Sequence, residues 1–286
     1  MMTEDELKAL VRQVVTEVVK QAEAAAPAED GEERPLWSRG PKHRPLPAAR
    51  NAQALEHLVG TTPSRIATGR TGTRYLTASY LGLRADHAIA LDAVHSELDG
   101  AWAEKLGWLP LRTQAVDHPD FLLHPDHGRT LDATSKARCE KEATQGVDVQ
   151  LIAGDGLSAH ALELNGPALM TALQTQLKAA GFTVGRPLFV KYARIGVQDE
   201  IGVLTRARCT GILVGERPGL GTGDSLSIYT AYGPRAGQDN SEKDCISNVR
   251  QLGFPPERAA ARCADLLKRT FQAKGGGVKL TSRARP

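Results

Sequence analysis

The stretch from Gly146 to Gly215 constrains the fold more than any other part of the chain. Val147, Val149 and Leu151 alternate with Asp148 and Gln150, the two-residue period of a strand. Gly154-Asp155-Gly156 breaks that run, and a helix is expected from about Ala168 to Ala180, ended by Gly181. Pro187 to Tyr192 reads as a second strand, Asp199 to Arg206 as a short helix, and Cys209 to Gly215 as a third, fully buried strand. Strands alternating with helices in this way build a parallel sheet with right-handed crossovers. Ser225 to Tyr232 is expected to add a strand, and Pro256 to Ala273 a helix. The fold class is α/β: a helical N-terminal region followed by a Rossmann-like, mostly parallel sheet domain with flanking helices.

The chain divides into four stretches. Residues 1–21 read as an amphipathic helix: Thr3 and Glu6 form a capping box, and Leu7, Leu10, Val11, Val14, Val15, Val18 and Val19 recur at helical spacing. Residues 22–47, rich in Ala, Pro and charge, read as a linker. A helix on such a tether either docks on its own assembly or serves as a targeting tag received by a groove elsewhere. Residues 48–145 are expected to be mainly helical, with Ala85 to Leu98 a packed helix in which His87 and His95 are satisfied core residues. Residues 146–286 form the α/β domain.

Several classes of function fall away. A net charge of +3 over 286 residues is too small a basic excess for a nucleic-acid partner. The four cysteines, Cys139, Cys209, Cys245 and Cys263, form no C-x-x-C pair, which suits a reduced, cytoplasmic chain. The first residues lack the apolar run of a secretory signal, and no run approaches the ~20 apolar residues that span a bilayer. The loop His124-Pro125-Asp126-His127-Gly128-Arg129 carries metal-binding residue types, yet shows no carboxylate–histidine pattern on one helix face, so no metal site is expected.

Ligands of open α/β sheets bind beyond the carboxyl ends of the strands. Three loops qualify: Gly154 to Ala159, Ala193 to Gly196, and Gly215 to Gly221. A fourth, Cys245-Ile246-Ser247-Asn248, is expected to precede the last helix and close over the same rim. Gly219-x-Gly221-x-Gly223 is not a dinucleotide fingerprint, and no P-loop occurs. Gly156-Leu157-Ser158-Ala159-His160 resembles a nucleophile elbow, but every histidine lies at or before His160, while a hydrolase needs one downstream. Asp155 and Ser158 are read instead as helix caps. A stand-alone α/β module for a nucleotide-like molecule stays open on these grounds.

The motifs at these loops are long enough to name a family. Arg65-Ile66-Ala67-Thr68-Gly69-Arg70-Thr71-Gly72, Asp86-His87-Ala88, Asp92-Ala93-Val94-His95, Asp155-Gly156-Leu157-Ser158-Ala159, Asp199-Glu200-Ile201-Gly202, Gly215-Glu216-Arg217-Pro218-Gly219-Leu220 and Cys245-Ile246-Ser247-Asn248 closely resemble the ethanolamine ammonia-lyase light chain. The resemblance begins at about Thr61. It implies a two-chain enzyme in which a heavy (large) subunit holds the substrate and this chain helps bind adenosylcobalamin. Cobalt–carbon homolysis then starts a radical rearrangement of ethanolamine to acetaldehyde and ammonia. It implies cofactor contacts at Ile195, Glu216 and Cys245, with no catalytic residue in this chain. Relatives usually carry Val where this chain has Ile195. Arg194, Arg217 and Ser225 are expected neighbours, and Glu216 has a salt bridge with Arg217 as its alternative role. No D-x-H-x-x-G cobalt-ligating motif occurs, and no histidine follows His160, so the cofactor is expected base-on. The resemblance also implies a higher hetero-oligomer inside a bacterial microcompartment, with residues 1–21 engaging a shell protein.

Overall fold

The computed structural model describes residues 49–61 and 65–283. The amphipathic helix expected over 1–21 and the linker over 22–47 lie outside the described residues. In chain order the elements begin with α1 (Ala52–Gly60), the hairpin β1 (Arg70–Thr71) and β2 (Arg74–Tyr75), α2 (Thr77–His95) and α3 (Gly100–Lys105). They continue with β3 (Leu109–Arg112), α4 (His118–Leu123), α5 (Ala133–Glu142), β4 (Val149–Gly154), α6 (Ala159–Ala179), β5 (Leu188–Lys191) and α7 (Val197–Thr205). The chain ends with β6 (Cys209–Gly215), β7 (Leu226–Tyr232), β8 (Lys243–Val249), α8 (Pro256–Ala273) and α9 (Val278–Arg283).

One six-stranded sheet runs in the order β3-β5-β4-β6-β7-β8. The first four strands are parallel, and β7 and β8 extend the sheet antiparallel. The architecture is thus α/β and mostly parallel. Its edge strand β3 comes from the stretch read as mainly helical, because Leu109-Pro110-Leu111-Arg112 is too short to show a period. From β4 the chain goes by α6 to β5, and by α7 back across β4 to β6, so the sheet reverses direction beside β4.

The two faces bury different residues, as strand alternation requires. Val149, Leu151, Ala153, Phe189 and Leu213 pack with Leu162, Leu169, Leu173 and Leu177 of α6 and Ala260, Cys263 and Leu267 of α8. Ile152, Leu188, Val190, Ile212 and Val214 face Cys139 of α5 and Val197 and Ile201 of α7. A side chain such as Leu173, fully buried here, contributes about 1.5–3 kcal/mol by leaving water. The second face loses its helical cover beyond β6. Register places Val214 opposite Ser227, Ile212 opposite Tyr229, and Tyr229 opposite Cys245, so that uncovered part of the sheet presents Ser227, Tyr229 and Cys245.

Three expectations need correction. Cys245 to Asn248 is no loop: it lies in β8, paired with β7, and Asn248 adopts a positive φ of 58° where the register shifts. The expected helix after β4 begins not near Ala168 but at Ala159, and Pro167 sits inside it. Gly166-Pro167 reads locally as a break, whereas the fold carries the helix through it. Finally, Ala93 is the α2 residue that is buried, and His87 and His95 are exposed. Helical spacing identifies an apolar stripe without saying what covers it, and among the described residues little does.

Candidate functional site

The carboxyl ends of β4, β5 and β6 open onto an open cavity of about 890 Å³. Its walls are Gly156 and Leu157 after β4, Ala193 to Gly196 after β5, and Val214 to Arg217 at the end of β6. Ser227, Tyr229 and Ser247 supply a floor from the uncovered sheet face. Pro125, Asp126, Arg129, Thr130, Gly237 to Asn240 and Lys243 add walls that the strand rule did not foresee.

A buried carboxylate shapes the rim. Asp155 accepts the backbone N–H of Gly156 at 2.9 Å, of Tyr192 at 2.8 Å and of Ala193 at 2.9 Å. It therefore ties the end of β4 to the turn after β5 and does not cap α6. Tyr192 is held at φ 59°, a conformation non-glycine residues adopt only when their surroundings impose it. Burial pushes the Asp155 carboxyl up to about 6 against the pull of those three donors. Ser158 does cap α6, accepting Ala161 N at 3.1 Å, and its hydroxyl donates to Gly223 O at 2.6 Å. Being buried and so engaged, it is no nucleophile. The end of β6 passes the turn after β4 so closely that a Cβ on Gly215 would lie 2.1 Å from Ser158 O.

Glu216 sits at the exit of β6 and lines the cavity. Its Oε2 accepts the Ser225 hydroxyl at 2.6 Å; its Oε1 accepts the Ser227 hydroxyl and the Asn248 backbone N–H, the latter at 2.9 Å. The salt bridge with Arg217 considered from sequence is not what holds it. A carboxylate offers about four acceptor positions, so Oε2 keeps one free. Ile195 lies in the turn between β5 and α7 and also lines the cavity, as do Arg194 and Arg217. Cys245 does not: it is exposed on β8 beside Tyr229, further along the same sheet face. Desolvation holds its thiol above the ordinary value, opposed by hydrogen bonds from Tyr229 and Ser227, with the Glu216 charge adding to the rise. The structure thus brings Ile195 and Glu216 together and sets Cys245 beyond them.

The deep end of the cavity is polar and incompletely satisfied. The Lys243 ammonium donates to Asp199 Oδ2 at 2.9 Å, Gln238 O at 3.0 Å and Asn240 Oδ1 at 3.1 Å. Burial raises the Asp199 carboxyl while Lys243 opposes that rise. Asp199 Oδ1, Gln238 Oε1 and Arg194 Nε are buried without a hydrogen-bond partner. Lys243 was invisible in sequence because Ser241-Glu242-Lys243-Asp244 reads as a solvated charge run. Asp199 was visible only within a motif.

Motifs distant in sequence also meet here. Arg65 pairs with Asp86 and donates to Leu220 O at 3.2 Å, and Gly221 N donates to Asp86 O at 3.1 Å. The segment before β1, helix α2 and the glycine-rich loop after β6 are thereby fastened into one unit. Among the described residues no helix is long and apolar enough to cross a membrane.

Comparison with known families agrees with the motifs. Residues 52–281 match Ethanolamine ammonia-lyase light chain (EutC), which takes in every described element from α1 to the start of α9. That span covers well over half of the sequence, and the chain belongs to the ethanolamine ammonia-lyase light chain family.

Proposed function

We propose that the cavity at the strand ends is this subunit's share of an adenosylcobalamin seat, completed by the heavy chain that a light chain implies. The observation that carries this reading is the cavity lining. It mixes apolar surface from Leu157, Ile195, Val214 and Tyr229 with buried polar atoms that lack partners at Asp199, Gln238 and Arg194. Unpaired buried groups of this kind are costly and fit a ligand that brings both donors and acceptors. A corrinoid edged with amide groups has that character. When bound, the cofactor supplies the cobalt–carbon bond whose homolysis starts the radical conversion of ethanolamine to acetaldehyde and ammonia.

The chain's own residues grip and orient. Glu216, fixed by Ser225, Ser227 and Asn248, offers its free Oε2 position to an amide donor. Ile195 presents its apolar side chain at the turn after β5. Cys245, with its thiol kept neutral, packs as a small apolar group further along β8. No histidine is among the described residues that line the cavity, which supports a base-on cofactor. The amphipathic segment 1–21 serves as a delivery tag to a protein-shelled compartment; unchanged encapsulation after its deletion would remove that role.

Reconstitution tests the main reading. The light chain alone should release no ammonia, and turnover should need the heavy chain and adenosylcobalamin. In the assembled enzyme Glu216→Ala should raise the apparent cofactor constant by one lost hydrogen bond, about 0.5–1.5 kcal/mol or up to roughly tenfold. An unchanged constant would take Glu216 out of the seat.

A further inference from the structure

Outside the cavity, the described residues contain one group able to chelate an ion: Asp120, His124 and His127, with one donor atom from each lying within 4.8 Å of the other two. The loop holding both histidines shows no metal signature by itself. The fold supplies the missing carboxylate, because Asp120 lies in α4 and His124 closes that helix one turn later. Nδ1 of His124 is 2.7 Å from Asp120 Oδ1, and Nδ1 of His127 is 3.0 and 2.9 Å from Oδ1 and Oδ2. The two imidazoles stack with centroids 5.1 Å apart, so both edges converge on one carboxylate.

We propose that Asp120, His124 and His127 form a binding site for a divalent transition-metal ion of the zinc class, with water completing the coordination. Two imidazole nitrogens and one carboxylate oxygen are the donor set such an ion prefers, and three protein ligands leave a position open. Zinc bonds of ~2.0–2.2 Å arranged tetrahedrally set neighbouring donors about 3.3–3.6 Å apart. The present nitrogen–oxygen separations fall short of that, so the ion enters by a small outward shift as each imidazole gives its Nδ1 proton to solvent and takes one at Nε2, leaving a neutral ring with Nδ1 free to ligate.

The ligands are held in advance of any ion. Asp120 Oδ2 accepts Val116 N at 3.0 Å, and Asp120 N donates to Asp117 Oδ1 at 2.8 Å. His124 N donates to Asp120 O at 2.8 Å, and His127 N to His124 O at 3.0 Å. Between the first two ligands, Phe121 is buried and stacks on Tyr192 at 5.8 Å, and just after the third, Gly128 O accepts Arg194 N at 2.8 Å. A bound ion would therefore stiffen the segment that carries Pro125 and Asp126 to the cavity rim. The role that follows is structural, a clamp on that segment.

The test uses the untagged full-length chain without cofactor, so its failure would leave the cofactor seat untouched. Calorimetry with Zn²⁺ should show one ion per chain at micromolar concentration, and Co²⁺ should give the visible absorption of an ordered nitrogen–oxygen site. His124→Ala, whose side chain is 60% exposed, should leave the melting temperature of the ion-free chain in place and weaken binding by roughly tenfold or more. Asp120→Asn should weaken it comparably. Absence of stoichiometric binding, or binding unchanged in the His124→Ala/His127→Ala double variant, would overturn the proposal.

Discussion

At the scale of single residues, Asp155 shows how one buried carboxylate can organise a site it does not line. Three backbone donors converge on it from two strands' ends, and they hold the turn that presents Arg194 and Ile195. Its carboxyl, raised to about 6, binds its proton more tightly in the folded chain than in the unfolded one. Stability from this group is therefore full below about pH 4 and is lost as the pH rises through about 6. Asp155→Asn should cost about 1–3 kcal/mol, because the amide nitrogen must face a backbone N–H in place of an acceptor. Urea unfolding of both proteins from pH 4 to pH 7 should show their difference narrowing as the pH rises. A gap that stays constant would mean that Asp155 does not titrate in that window.

Among the elements, the antiparallel pair β7–β8 does most to shape the cavity. Helices α5 and α7 cover the second sheet face as far as β6, and β7 and β8 leave that face open. The cavity occupies the vacancy, so a sheet extension and a missing helix together create the floor of Ser227, Tyr229 and Ser247. The rim depends on how closely β6 passes the turn after β4. In Gly215→Ala the added Cβ would meet Ser158 O at 2.1 Å and Asp155 O at 2.6 Å, both backbone atoms that cannot rotate away. The variant should lose about 1–3 kcal/mol or more in chemical unfolding. Wild-type stability would show that the strand ends can part without cost.

For the whole molecule, the telling surface is α2. It runs for 19 residues with Ala93 buried, while Tyr80, Leu81 and Leu91 stay exposed. Its Asp86 nonetheless fastens to the loop after Glu216 through Arg65 and Gly221. An apolar helix attached to the cavity rim suits the side of a subunit that meets its partner. Leu81→Glu should change the chain's own stability by no more than about 0.5 kcal/mol, since Leu81 buries little here. It should weaken association with the heavy chain by roughly tenfold or more, the worth of one buried leucine. Thermal melting and gel filtration of the two chains separate those effects; undiminished assembly would place the interface elsewhere.

Local periodicity carried the parallel half of the fold by itself: Cys209–Gly215 and Pro256–Ala273 are strand and helix over the residues their patterns mark. With the rule that ligands sit at strand ends, it also picked out the loops Ala193 to Gly196 and Gly215 to Gly221, which line one cavity, while Ile195 and Glu216 within them were named by the family resemblance. Such patterns record which face of an element seeks burial, so they are legible within a dozen residues. What meets that face is a long-range matter, and only the tertiary structure decided it. Register with β7 made Cys245 to Asn248 a strand, and packing against Asp199 buried Lys243. Each of those outcomes depends on free energy shared between residues far apart in sequence, and that is why the chain read in order does not display them.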